Sequence, residues 1–351
     1  MPAPRIDATC DDLLSSPALQ GFVGEGPSTL VAFDPSTTTA PDVLALQQLG
    51  GVDCMWTTAP APVLPYQVPP RSEQSVRLRI LPEGQEASQE YVAYATTDAA
   101  PSEYGPGVYG PDCVGADEYS DGYAACSMAG WIGNVWVDLG VMGIVVQEGE
   151  RDADLIERFR TVTDPLAATL EATDIVEDRW QAPTPSPSAG RDCDELAPTE
   201  AITAATGISG LDVGFRWDGP RAGQYLYALE QTGALRCSLA FAGSDSALGT
   251  VSMLPSGRWA FEASLPEWMA AGAQPVELAG LPPGSAVRRC EDPADWCRID
   301  VIVGGDWMQV SVIPSPPYTL DAPIDPASFE AARASVDAIA ELVAERMAAH
   351  A

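Results

Sequence analysis

One histidine, eight cysteines, fifty acidic residues and no lysine set the limits on what this chain can do chemically. The histidine, His350, sits one residue from the end of the sequence, where backbone frays. A Ser-His-Asp or Cys-His relay needs an imidazole fixed in a cleft, so neither is expected. Without lysine there is no Schiff-base chemistry and no lysine to grip a phosphate. Gly105, Gly107 and Gly110 are not followed by a helical pattern, so they read as loop and not as a phosphate cradle. No catalytic residue and no cofactor is expected on these grounds. A hydrolase working with carboxylates alone, such as a glycosidase, stays open, because two acids in one cleft suffice for it.

The cysteines carry the most regular spacing. Cys10 and Cys54 are 44 residues apart, and so are Cys193 and Cys237. Cys113 and Cys126 are 13 apart, Cys290 and Cys297 are 7 apart. Four cysteines per half allow three connectivities; the repeated 44-residue spacing selects Cys10–Cys54, Cys113–Cys126, Cys193–Cys237 and Cys290–Cys297. No pair has the close spacing of a zinc site, and no histidine is near. Committed to disulfides, the cysteines offer no thiolate nucleophile. They imply an oxidising compartment, outside the cell or on its surface.

Three further groups are candidates for binding. Tyr104, Tyr109, Tyr119 and Tyr123 are interleaved with Gly, Asp and Ser around Cys113, a composition suited to recognition loops because tyrosine brings apolar area and a hydroxyl together. The plainer reading is a surface loop anchored by Cys113–Cys126. Asp112, Asp117, Glu118 and Asp121 supply oxygens of the kind Ca²⁺ takes, without EF-hand spacing; in a chain this acidic such clusters arise freely, and no metal is assigned. Arg77 and Arg79 share one strand face, and Arg288, Arg289 and Arg298 lie near the corresponding sheet of the second half. They suit an anionic ligand, or carboxylates on neighbouring strands, the pairing favoured here.

The formal charge of −32, from 50 acids against 18 arginines, repels phosphate backbones and anionic headgroups and argues against nucleic-acid or membrane-surface partners. No apolar run reaches the length of a transmembrane helix. The opening Met1-Pro2-Ala3-Pro4-Arg5 reads as a trimmed start, compatible with removal of an upstream signal or anchor.

The elements that must position these residues fall into two copies. The Pro/Ser stretch 182–190 lacks apolar periodicity, and its alternate prolines make it a tether between residues 1–181 and 191–351. Thr-Cys-Asp-Asp-Leu at 9–13 answers Asp-Cys-Asp-Glu-Leu at 192–196. Each copy then reads as helix, cysteine-bearing strand, a strand ending Leu-Pro (Leu81-Pro82, Leu254-Pro255), a middle helix, further strands entered at Trp136 and Trp307, and a closing helix. Residues 52–57, 75–81, 235–241, 250–254, 297–303 and 307–313 alternate as strands; 85–95, 225–231, 259–271 and 326–347 show helical spacing. Residues 100–130 read as loop, 135–147 as a strand pair or one bent strand, and 152–160 with 165–172 as two helices. The fold class expected is α+β: two tandem modules, each an antiparallel sheet packed with helices and stapled by two disulfides.

The second copy, with Cys-x-x-Leu-x-Pro-x-Glu at 193–200, its cysteine-led strand, Gly305-Asp306-Trp307 and an Ala-rich helix, resembles actinobacterial cell-envelope lipoproteins of unknown function. In plan it is also similar to the extracellular sensor domains of actinobacterial serine/threonine kinases. The first copy departs from that pattern in its Pro-rich and Tyr/Gly stretches. The resemblance implies an exported, non-catalytic module that binds a small molecule or an envelope protein. The other readings are the carboxylate hydrolase and a structural adaptor.

Overall fold

The computed structural model describes residues 1–24, 30–33, 40–58, 74–95, 102–115, 123–183, 186, 188–215, 223–241, 247–291, 296–312 and 326–349. The first module runs α1 (Cys10–Leu13), α2 (Ser16–Val23), β1 (Val31–Phe33), a 3-10 turn (Pro41–Leu44) leading into α3 (Ala45–Gln48), β2 (Val52–Thr57), β3 (Ser75–Leu81), α4 (Gln85–Ala95), β4 (Val108–Val114), β5 (Tyr123–Ile132), β6 (Val135–Val145) and α5 (Asp152–Ala172). The second runs α6 (Cys193–Leu196), α7 (Thr199–Thr206), β7 (Leu211–Gly214), α8 (Gln224–Thr232), β8 (Leu235–Phe241), β9 (Ala247–Leu254), α9 (Arg258–Ala270), β10 (Gln274–Pro275), β11 (Ala286–Glu291), β12 (Trp296–Val303), β13 (Asp306–Val312) and α10 (Pro326–Ala348).

Both sheets are antiparallel throughout, and they share one strand order. The first is β1-β2-β3-β6-β5-β4; the second, read from its other edge, is β7-β8-β9-β13-β12-β11-β10, with β10 added outside. The fold class is therefore the α+β double module that the alternating strands and cysteine spacing predict. On its outer face each sheet buries the strand residues of one parity under helices from both ends of its module. In the first, Cys54, Leu78, Ile80, Leu139 and Val141 pack with Phe22 of α2 and with Leu155, Phe159 and Leu166 of α5. In the second, Cys237, Leu239, Ile299 and Val310 pack with Val336, Ile339 and Val343 of α10.

The four cysteine pairs are disulfide-bonded: Cys10–Cys54, Cys113–Cys126, Cys193–Cys237 and Cys290–Cys297. The long pair ties the first short helix of each module to its second strand. The short pair staples two directly opposed residues of a hairpin, Cys113 opposite Cys126 and Cys290 opposite Cys297.

Several elements differ from the sequence expectation, each for a local reason. The Tyr/Gly stretch is not a loop. Val108–Val114 and Tyr123–Ile132 form a hairpin, and its period of two is interrupted by a bulge between Tyr109 and Asp112. Gly110 enters that bulge with φ of 82°, and a Cβ there would fall 2.5 Å from the Ser127 carbonyl. Residues 152–172 make one helix, with Pro165 inside it; tertiary packing of its apolar stripe outweighs the missing donor. Residues 135–145 are a single strand. Thr199 does not cap α7; Pro198 takes the N-cap place, and the Thr199 hydroxyl accepts from Val213 N at 3.0 Å. The short strands β1 and β7 carry too few residues to show alternation. The Pro-rich stretch 60–70 lies outside the described residues.

The modules are joined by a third apolar cluster between the sheets. Leu44, Leu46, Leu49, Leu81 and Trp136 of the first module meet Leu229, Leu254, Phe261, Trp268, Ile302 and Trp307 of the second. An offset of 183 residues relates the two long disulfides (193 − 10 and 237 − 54 alike). The same offset brings Ala45-Leu46-Gln47-Gln48-Leu49-Gly50 onto Ala228-Leu229-Glu230-Gln231-Thr232-Gly233. It also relates Asp42 to Tyr225, and these two touch: the Tyr225 hydroxyl donates to Asp42 Oδ2. Equivalent residues of two copies meet each other only at a two-fold axis, so an approximate dyad passes through this pair. The tether is seated on the second module, with Ser188 buried and the Ser186 hydroxyl donating to buried Asp306 at 2.6 Å.

Candidate functional site

Each sheet's polar parity faces this seam, which is where the arginines of β3 go. Arg77 and Arg79 point away from their own module's outer core but into the inter-module layer, so they are half-buried and not solvent-facing. Arg77 donates to both oxygens of Asp53 on β2, at 3.0 Å from Nε and 2.6 Å from Nη2. Arg79 lies 3.4 Å from Asp138 on β6 and 3.9 Å from Asp53. These are cross-strand neighbours in register, Asp53 opposite Arg79 and Asp138 opposite Arg79. Desolvation, then the neighbouring Arg77, pulls the Arg79 guanidinium below its ordinary value. The second module solves the same problem elsewhere. Fully buried Asp300 accepts from Arg289 Nε at 2.8 Å, Trp307 Nε1 at 3.1 Å and Gln309 Nε2 at 2.7 Å. Arg289 in turn lies 3.9 Å from the centre of the Trp268 ring. Arg288 pairs with Asp337 of α10. These arginines have carboxylate partners inside the protein, the pairing that the strand pattern favours over an external anion.

The tyrosines expected to form a recognition loop are dispersed. The Tyr104 hydroxyl bonds to Thr163 at 2.7 Å and donates to Asp164, both on α5, and burial with Asp164 holds it well above its ordinary value. Tyr109 on β4 donates to Asp112, and burial followed by that bond pushes its hydroxyl up to about 12. Tyr123 opens β5 opposite Val145. Tyr119, and with it Asp117, Glu118 and Asp121 of the Ca²⁺ candidate, lies outside the described residues. Asp112, the fourth member, is taken by Tyr109. Among the described residues no group of histidine, cysteine, aspartate and glutamate side chains could hold a metal ion, and no helix is long and apolar enough to cross a membrane.

The structure brings together a different set. A cleft of about 340 Å³ opens between the modules, lined by Pro2 and Pro4, by Leu44, Gln47, Val52 and Asp53 of the first module, and by Trp259, Ala260, Ala263, Ser264 and Glu267 of α9 in the second. Its position follows from the dyad. At the opposite end of the seam the residue equivalent to Leu44 is Tyr227, whose ring packs edge-on against Trp136, centroids 5.9 Å apart, with Tyr91 on the other side at 6.1 Å. A Cβ on Gly84 would come within 3.0 Å of the same tyrosine. Three aromatic rings thus fill that end. At the Leu44 end, Trp307 packs only with its own module's Phe261, at 6.4 Å, and Trp268, at 5.6 Å, and the shorter leucine leaves the space open. Sequence reasoning missed this site because its two walls lie more than 200 residues apart; the repeated Ala-Leu-x-Gln-x-Gly was the available signal.

Comparison with known proteins adds little to this geometry. No family model matches the chain, and no curated protein matches it. The crystal structure of DynU16, a protein of the dynemicin biosynthetic locus, aligns over 99% of this chain and 94% of that one, at 11% identity and a TM-score of 0.16. A likeness of that size carries no argument about fold or activity.

Proposed function

We propose that the protein is a non-catalytic small-molecule-binding protein of an oxidising, extracytoplasmic compartment, exported and held at or near the cell envelope. The observation that carries this reading is the inter-module cleft: a concave site at a domain boundary, mostly apolar, with Gln47, Asp53, Ser264 and Glu267 among its walls. Four disulfides support the compartment. The hydrolase alternative is disfavoured by Asp53. Of the cleft's two carboxylates it is the enclosed one, and it accepts both Arg77 hydrogen bonds, which stabilise the ionised form and withdraw it from acid–base work. A purely structural adaptor would not need the open end of the seam.

Native mass spectrometry of the protein purified from its own source tests the reading. The expected result is a retained small molecule that is lost in Ala263→Trp, a variant that blocks the cleft from an exposed helix position and so leaves the fold intact. The bare chain mass in every preparation would overturn it.

A further inference from the structure

Resting on the cleft reading above, we propose that the ligand is a small organic cation with an apolar body, of the ammonium or guanidinium class. The cleft lining includes two carboxylates, Asp53 and Glu267, and an indole, Trp259, but no arginine. Asp53 is already compensated by Arg77 and Arg79. Glu267 is not: it is exposed on α9, and among the described residues no arginine engages it. Trp259, Ala263 and Glu267 follow at four-residue steps and therefore stack on one face of α9. Alanine in the middle leaves a gap with an indole on its N-terminal side and an uncompensated carboxylate on its C-terminal side. A cation placed over that gap meets a ring face and a counter-charge together. Across the cleft, Leu44, Val52, Pro2 and Pro4 offer only apolar surface to the rest of the molecule. An anion would meet Glu267 unshielded in a chain of formal charge −32, whereas the same field draws a cation in.

Isothermal titration calorimetry with two probes of one shape decides this: choline, and its neutral carbon isostere 3,3-dimethylbutan-1-ol. Choline is expected to bind about tenfold tighter than the alcohol, with the advantage shrinking as salt is raised. Glu267→Gln is expected to remove most of that advantage without changing the melting temperature, and Ala263→Trp to abolish binding of both probes. Equal binding of the two probes, lost in Ala263→Trp, would end the cation proposal while leaving the cleft as a binding site. Failure of choline to bind would also end it, and the cleft reading would then stand or fall on the retained-ligand measurement alone.

Discussion

Leu44 and Tyr227 occupy equivalent places at the two ends of the seam between the modules, and the molecule finishes the two ends differently. Tyr227 closes its end by stacking with Trp136 and Tyr91. Leu44 leaves its end open, and α9 lines the space with Trp259, Ala263 and Glu267. The strand order is the same on both sides, so the difference cannot come from topology. It comes from side-chain volume at dyad-related positions. A duplicated scaffold buries its conserved geometry twice but can specialise one end of the interface, because the two ends no longer share a sequence. The polar layers diverge in the same way. The first module pairs Asp53 with Arg77, whereas the second gathers Arg289, Trp307 and Gln309 around Asp300.

That comparison can be broken most directly at the buried charges. Asp300→Ala leaves Arg289 enclosed without its counter-charge and is expected to cost about 3–5 kcal/mol. Asp53→Ala is expected to cost less, because Arg77 is about one-fifth exposed and retains some water; urea midpoints of the two variants measure the difference. The long disulfides test the equality of the modules. With a 44-residue spacing in both, removing either pair by a double Cys→Ala substitution should cost about 4 kcal/mol on the loop-entropy model, against about 2 kcal/mol for Cys290–Cys297. Unequal losses for the two long pairs would show that the modules differ in more than their seam.

Smaller effects probe the seam itself. Tyr227→Leu converts the closed end to the open pattern and is expected to cost about 1 kcal/mol, the worth of the lost ring pair with Trp136, while leaving ligand binding at the Leu44 end unchanged. Alkaline titration gives the smallest signal. Burial, with Asp138 adding to it, pushes the Tyr91 hydroxyl up to about 12. The folded state then keeps the proton while the unfolded chain, with its ordinary value near 10, releases it. Stability contributed by this group is fully present below about pH 10 and is lost as pH rises through about 12. Tyr91→Phe should therefore reduce the slope of the melting temperature against pH in that window and leave it unchanged at neutral pH.

Much of this architecture was legible in the residues. Val76, Leu78 and Ile80 alternate with Arg77 and Arg79, which fixes β3 and its two faces. The equal cysteine spacing fixes the long disulfides, since a covalent bridge between a first helix and a second strand tolerates no slip in register. The candidate site was legible only in part. Arg77 and Arg79 were read correctly as cross-strand partners of acids, but as outward-facing, because periodicity distinguishes two faces of a strand without saying what covers each. The tyrosines of 104–123 shared a composition and not a place: one hydroxyl reaches α5, another stays on β4.

What the sequence determined by itself was the local layer: strand parity, helix stripes, the pairing of cysteines, and the duplication that all of these repeat. Those depend on residues close in the chain or on covalent spacing. What only the tertiary structure decided was the face-to-face docking of the modules, the dyad through Asp42 and Tyr225, and the opening beside Leu44. Docking depends on how two surfaces more than 180 residues apart complement each other in shape. No period or motif encodes that fit, because the volume left empty at one end is a property of both walls at once.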